Sequence, residues 1–241
     1  MTFLGIIAVA LLGSFVQVTC GLGYAVICVC FWSLFLPLET AVVLELITGV
    51  VSMLYMAIRQ RRKIRWSLLL WPTVFSCSAS LLGFFTLFQL DTTLLYRLLG
   101  LLLICLGTFF HSFSDRARLR PTAATGVAAG LIGGFFGGLF GIAGPPVAAY
   151  VLAASNGKEE YSATIQAHFS ITSLFLILVH FLAGNLNGRA MLLGAVGIVG
   201  VLAGLALGLM AFRRLSDTGL KKLVGLFLVG MGLFYLLRTF F

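Results

Sequence analysis

The stretch "GGLFGIAGPPVAAY" (Gly137–Tyr150) places four glycines and two adjacent prolines inside an apolar run. Glycine lets backbone amides approach a ligand closely. Proline in the first turn of a helix removes an N–H that had no intrahelical partner. The pattern predicts a helix that breaks and restarts, with the new N-terminus presented at the break. Such an N-terminus carries partial positive charge and free N–H groups, and binds an anion without a buried cation. A second break is expected at Gly21-Leu22-Gly23. The candidate substrate-binding residues are therefore Gln17, Thr19, Cys20, Gly21, Gly23 and Tyr24 at the first break, and Gly141, Ala143, Gly144 and Pro145 at the second. Gln17 and Thr19 can hydrogen-bond an oxyanion. For any single glycine, close helix packing is the simpler explanation; two matched clusters plus Pro145-Pro146 favour a ligand site.

Two ionisable groups interrupt other apolar runs: Glu45 in "AVVLELITG" and His168 in "TIQAHFSITS". Ionisable residues inside a bilayer are costly and mark ion or proton paths. Both are candidates for proton coupling. His168 reads equally as a neutral histidine bonded between helices, and Glu45 as a residue of an outer, water-filled vestibule. Gln166, Ser170, Thr172 and Ser173 crowd the same run as His168, whereas His180 and Asn185 read as interfacial. No nucleophile–base pair, metal-ligand spacing or phosphate loop is apparent, so no catalytic residue, metal or cofactor is expected, and ATP hydrolysis is not built in. The five cysteines read as small packing residues.

These residues need a scaffold of apolar helices. The 241-residue chain is 61% hydrophobic and 10% charged, with mean hydropathy +1.12; soluble domains carry about 25% charged residues. Its apolar runs are continuous rather than alternating, which predicts an all-α polytopic membrane protein instead of a barrel. The N-terminus lacks a positive n-region and is read as a retained helix. The net charge of +9 comes from short loops, which indicates cytoplasmic topology signals and contact with anionic lipid, not nucleic acid.

The chain repeats itself. "LLGSFVQVTCGLGYAV" matches "LIGGFFGGLFGIAGPPV", with Gly13 on Gly133 and Gly21 on Gly141; "LDTTLLYRLLGLLLICLGTFF" matches "SDTGLKKLVGLFLVGMGLFYL", with Gly100 on Gly225 and Gly107 on Gly232. Residues 1–114 form a first membrane repeat, 115–121 a cytoplasmic linker and 122–241 a second repeat. Each repeat holds a broken region followed by three clean spans: near Thr40–Ile58, Leu68–Phe88 and Thr92–His111, then near Ser162–Ala183, Ala190–Phe212 and Thr218–Thr239.

The arm after Pro145 is roughly 16 Å long as a helix, too short for a hydrocarbon core of about 30 Å. If each broken region is a re-entrant hairpin, the second repeat is inverted. Thirteen Lys and Arg then share one side, leaving Arg97, Arg189 and Arg238 opposite. If each is a single crossing, the division is ten against six. The positive-inside rule favours two inverted repeats with both termini outside, although two short full spans in place of each hairpin give the same parity.

The tandem "GSFVQVTCGLGYAV…LPLETAVVLELITGV…RQRRKIRW" and "GGFFGGLFGIAGPPVAAYVL" resembles the TauE/SafE family of sulfite-exporter-like permeases over nearly the whole chain. The resemblance implies transport of a small sulfur-containing or organic anion, such as sulfite or a sulfonate. Ala143 and Pro145 stand where family members often have glycine, and Cys20 and Tyr24 line the first tip. The expected protein is a secondary exporter in a bacterial cytoplasmic membrane. Its expected partners are the anion, lipid and a coupling proton, with an oligomer open. A passive anion channel and a non-transporting subunit of a sulfur-metabolism complex are the alternatives.

Overall fold

In a computed structural model, residues 2–112, 121–212 and 217–239 are described. They form α1 (Thr2–Cys20), α2 (Tyr24–Trp32), α3 (Leu38–Arg59), α4 (Trp66–Gln89), α5 (Thr92–Ser112), α6 (Ala123–Phe140), α7 (Gly144–Ala154), α8 (Lys158–Leu182), α9 (Gly188–Ala211) and α10 (Asp217–Arg238). The chain is an all-helical, polytopic membrane protein: six of these helices, α1, α3, α4, α6, α8 and α9, are long and apolar enough to cross a bilayer. Large apolar side chains such as Leu82, Phe181, Leu202 and Met210 are exposed on the outer surface, as lipid requires and water does not. Most of the expected linker, with Arg116, Arg118, Arg120, Arg213 and Arg214, lies outside the described residues.

Both expected breaks are present. The nine residues of α2 and the eleven of α7 reach roughly 14 and 16 Å, so neither short arm crosses a core of about 30 Å. Each folds back on its long arm. Cys28 Sγ contacts the Val9 carbonyl at 3.9 Å, while side chains at Gly13 and Gly133 would strike Tyr24 and Val147 respectively.

Helix pairs form where glycine removes the side chain between two backbones. In α6, Gly130, Gly134 and Gly138 lie on Pro72, Ser76 and Ser80 of α4; Ser76 Oγ also donates to the Gly130 carbonyl at 3.0 Å. In α9, Gly200 and Gly204 lie on the carbonyls of Ile7 and Leu11 of α1. Within each of these pairs the helices run in the same direction. By contrast α5 and α10 run oppositely, with Gly100 on Gly232 and Gly107 on Gly225. So do α3 and α8, where Ser173 meets Met53 and Ala57 packs with Ala167. Exchanging the two halves maps α1–α9 onto α6–α4 and maps the α5–α10 and α3–α8 pairs onto themselves.

The loop after α3 and the loop after α7 share one end of the molecule. Lys63 pairs with Glu159. Arg65 donates to Glu160 Oε1 at 3.2 Å and to the Ala154 carbonyl at 2.5 Å. At another loop cluster, Arg97 donates to Thr239 Oγ1 at 3.3 Å and the Arg238 guanidinium lies 5.6 Å from the Tyr96 ring centre.

Candidate functional site

At the first break, Gly21 closes α1 by donating its N–H to the Gln17 carbonyl at 2.8 Å. Gly21 and Gly23 have φ of 83° and 126°, values that only glycine adopts without strain. The restarted helix is capped from within: Gln17 Oε1 accepts the Tyr24 N–H at 3.1 Å. Gln17 Nε2 donates to Gln166 Oε1 at 3.1 Å, and Gln166 Nε2 points to the Gly21 carbonyl at 3.5 Å. Thus one of the amides expected to hold a ligand, that of Tyr24, is already satisfied. The Tyr24 hydroxyl is also engaged, donating to Thr48 Oγ1 at 2.7 Å. Thr19 donates to the carbonyls of Phe15 and Val16 on its own helix.

The second break ends α6 with a left-handed glycine. Gly141, at φ 72°, donates to the Gly137 carbonyl at 2.8 Å, and Ile142 donates to the Phe136 carbonyl at 3.3 Å. This is the glycine-capped helix end that satisfies the last carbonyls. Helix α7 then starts with Gly144, Pro145 and Pro146 in its first turn and has no side-chain cap. Its N-terminus therefore presents backbone dipole where α2 presents an amide already bonded to Gln17.

Six of the ten candidate substrate residues line one internal cavity: Gln17 and Gly23 from the first half, and Gly141, Ala143, Gly144 and Pro145 from the second. Ser76 and Ser80 of α4, Thr172 and Ser173 of α8, and Phe169 complete much of the wall. The space measures about 40 Å³, room for roughly three waters at 10–15 Å³ each. The two serines were missed in the sequence. Their signal was a pair of small polar residues four apart in an apolar helix, which face the same way. Thr19, Cys20 and Gly21 instead line a separate pocket with Lys158 and Tyr161, while Tyr24 lines neither.

Glu45 lies between the halves. It is 1% exposed, so it does not open onto a water-filled vestibule, and its Oε2 has no hydrogen-bond partner. A side chain at Gly141 would collide with that oxygen. His168 is also buried; its Nδ1 bonds Thr73 Oγ1 of α4 at 2.9 Å, while its Nε2 is unpartnered. His180, expected at the interface, is fully buried, because its ring packs 4.8 Å from Phe84 and its Nδ1 contacts Asn185 Nδ2 at 3.2 Å. No cluster of metal-binding side chains occurs among the described residues.

A family model for the sulfite exporter TauE/SafE matches residues 6–235. The chain belongs to the TauE/SafE family. It is accordingly a membrane transporter of the sulfite-exporter class, and both broken helices fall inside the matched region. No curated protein and no solved structure matches the chain. In this TauE/SafE member the cavity combines an uncapped helix N-terminus, small hydroxyl side chains and a neighbouring buried carboxyl.

Proposed function

We propose that the protein exports a small sulfur oxyanion, sulfite or a sulfonate, as a secondary transporter in a bacterial cytoplasmic membrane. The anion binds where α7 begins, held by the backbone of Ala143 and Gly144, with Gln17, Ser76 and Ser80 as polar neighbours. The observation that carries this reading is the uncapped, proline-started N-terminus of α7 opening on a cavity shared by both halves. Backbone dipole and hydroxyl groups match a small anion without adding a fixed cation.

The two halves act as inverted repeats, with both termini outside. The opposite running of α5 against α10 and α3 against α8 supports this, as does the shared end of the Arg65 and Glu160 loops. Alternating access then proceeds by rocking one hairpin bundle against the other.

Glu45 carries the coupling proton. Its unpartnered oxygen adjoins Gly141, where an ionised carboxylate would repel the substrate. A protonated Glu45 removes that repulsion and lets proton and anion bind together; outward movement is then driven by the cytoplasmic anion concentration and by the inside-negative potential acting on the charge left on a divalent anion. His168 faces Thr73 on α4 and serves the packing of that interface. Purified protein in liposomes should move sulfite or sulfoacetate, with accumulation driven by an imposed pH gradient. Flux indifferent to the gradient would identify a passive channel; no flux of either anion would refute the transport reading.

A further inference from the structure

We propose that the pocket between Gly21 and Lys158 is a second anion site, a cytoplasmic loading subsite for the small oxyanion whose transport is proposed above. This pocket of about 210 Å³ is lined by Thr19, Cys20, Gly21, Lys158, Tyr161 and Ser162, among others. Its free space, about 210 Å³ against about 40 Å³, is less finely divided by side chains than that of the cavity at α7. The pocket has room for a small oxyanion in this conformation.

Its chemistry is that of an anion site. The Lys158 ammonium is fixed at the pocket, donating to the Phe212 carbonyl at 3.1 Å and lying 4.4 Å from the Phe212 ring centre. Ser162 lines the pocket, is 2% exposed, and has a hydroxyl oxygen with no partner. Two acidic neighbours in the same helical turn are engaged by other cations: Glu159 by Lys63 and Glu160 by Arg65. Neither lines the pocket. Phe212 also borders a larger, solvent-open basin that carries four cations, Arg59, Arg61, Arg62 and Lys63, against one carboxylate, Glu159, which Lys63 pairs. Like charges lining a concave approach raise the local concentration of an oppositely charged solute. The basin is the approach and the pocket is where the anion first binds.

The Gln17–Gln166 hydrogen bond lies beside both spaces. Gln17 lines the inner cavity, and Gln166 Nε2 reaches the Gly21 carbonyl, whose residue lines the pocket. On this proposal the subsite fills before the inner site and is read out separately from it.

The test uses full-length protein in oriented liposomes with sulfoacetate as the probe. Lys158→Gln should raise KM from the cytoplasmic face about tenfold, the loss of one charge-assisted contact, with a smaller change in kcat. Lys158→Arg should restore KM. An unchanged KM, or a fall in kcat at constant KM, overturns the proposal. A second measurement does not need transport. With the other four cysteines replaced, Cys20 is labelled from the cytoplasmic face by an anionic methanethiosulfonate. Sulfoacetate should slow that labelling, and Lys158→Gln should abolish the protection. Absence of protection in the parent protein overturns the subsite even if Lys158→Gln fails to fold. Protection without flux of either sulfoacetate or sulfite would keep the subsite and refute the transport reading instead.

Discussion

Glu45 of the first half lies against Gly141 of the second, its Oε2 unpartnered beside the left-handed turn that closes α6. The opposite exchange also occurs: Gln166 of the second half reaches the Gly21 carbonyl of the first at 3.5 Å. Aligning "VLELITGVVS" with "TIQAHFSITS" places Glu45 on Gln166 and Ser52 on Ser173. A carboxyl and a carboxamide thus occupy twin posts, each against the broken helix of the other half. The two groups have nearly the same shape. They differ in that the carboxyl takes up and releases a proton and the amide does not.

We predict that Glu45→Gln will fold and still bind the anion, because it installs the chemistry of its twin. Transport should persist down a concentration gradient while pH-gradient-driven accumulation is lost. His168→Gln should keep a bond to Thr73 and leave the pH profile as it was. Liposome flux measured across an imposed pH step separates the two. Retained accumulation in Glu45→Gln, or its loss in His168→Gln alone, would move the proton site to His168.

At the second tip, Gly141→Ala and Gly144→Ala should differ sharply. A side chain at Gly141 meets the Glu45 carboxyl and sits at φ 72°, which adds about 1–2 kcal/mol of left-handed strain. A side chain at Gly144 meets nothing closer than Phe169 Cζ at 3.6 Å. Gly141→Ala should therefore lower sulfite affinity at least roughly tenfold, with Gly144→Ala within a few-fold of the parent. Binding isotherms on folded, monodisperse protein decide this; equal effects would remove the tip from the site.

Packing glycines should fail in another way. Gly138 lies against the Ser80 backbone, so Gly138→Val leaves α6 no room beside α4. It should lower the thermal midpoint strongly or abolish recovery of protein, since overpacking costs about 1–3 kcal/mol and backbone contact leaves little relief. Gly230→Ala, with open space around it, should not. Similar midpoints for both variants, by fluorescence-detected unfolding, would contradict the α4–α6 interface.

Orientation is testable through single cysteines in a cysteine-free background. Those at Arg61 and Asn156 should resist an impermeant maleimide in intact cells, and those at Asp91 and Asn185 should react. Reaction at 156 without reaction at 61 would support parallel halves, which the Lys63–Glu159 contact disfavours.

Much of the scaffold was legible in the chain. Continuous apolar runs specified buried or lipid-facing helices, because an unsatisfied backbone is too costly in hydrocarbon. The glycine and proline clusters marked both breaks, since backbone sterics are local: Gly141 takes the left-handed turn and Pro145 the first helical turn regardless of what surrounds them. The matched glycines Gly100, Gly107, Gly225 and Gly232 announced a repeat, but not that Gly100 would meet Gly232 and Gly107 would meet Gly225.

Which polar groups remain available was decided only by the tertiary structure. Gln17 looked like a free donor at the first tip, yet it bonds Gln166, 149 positions away, and caps Tyr24. Thr19 satisfies its own helix, and His180, in the last turn of α8, is buried against Phe84. Ser76 and Ser80 entered the cavity because glycines on α6 let α4 approach. Local sterics are written in consecutive residues. The pairing of a buried polar group depends on partners brought together from both halves, and that meeting is a property of the packed fold.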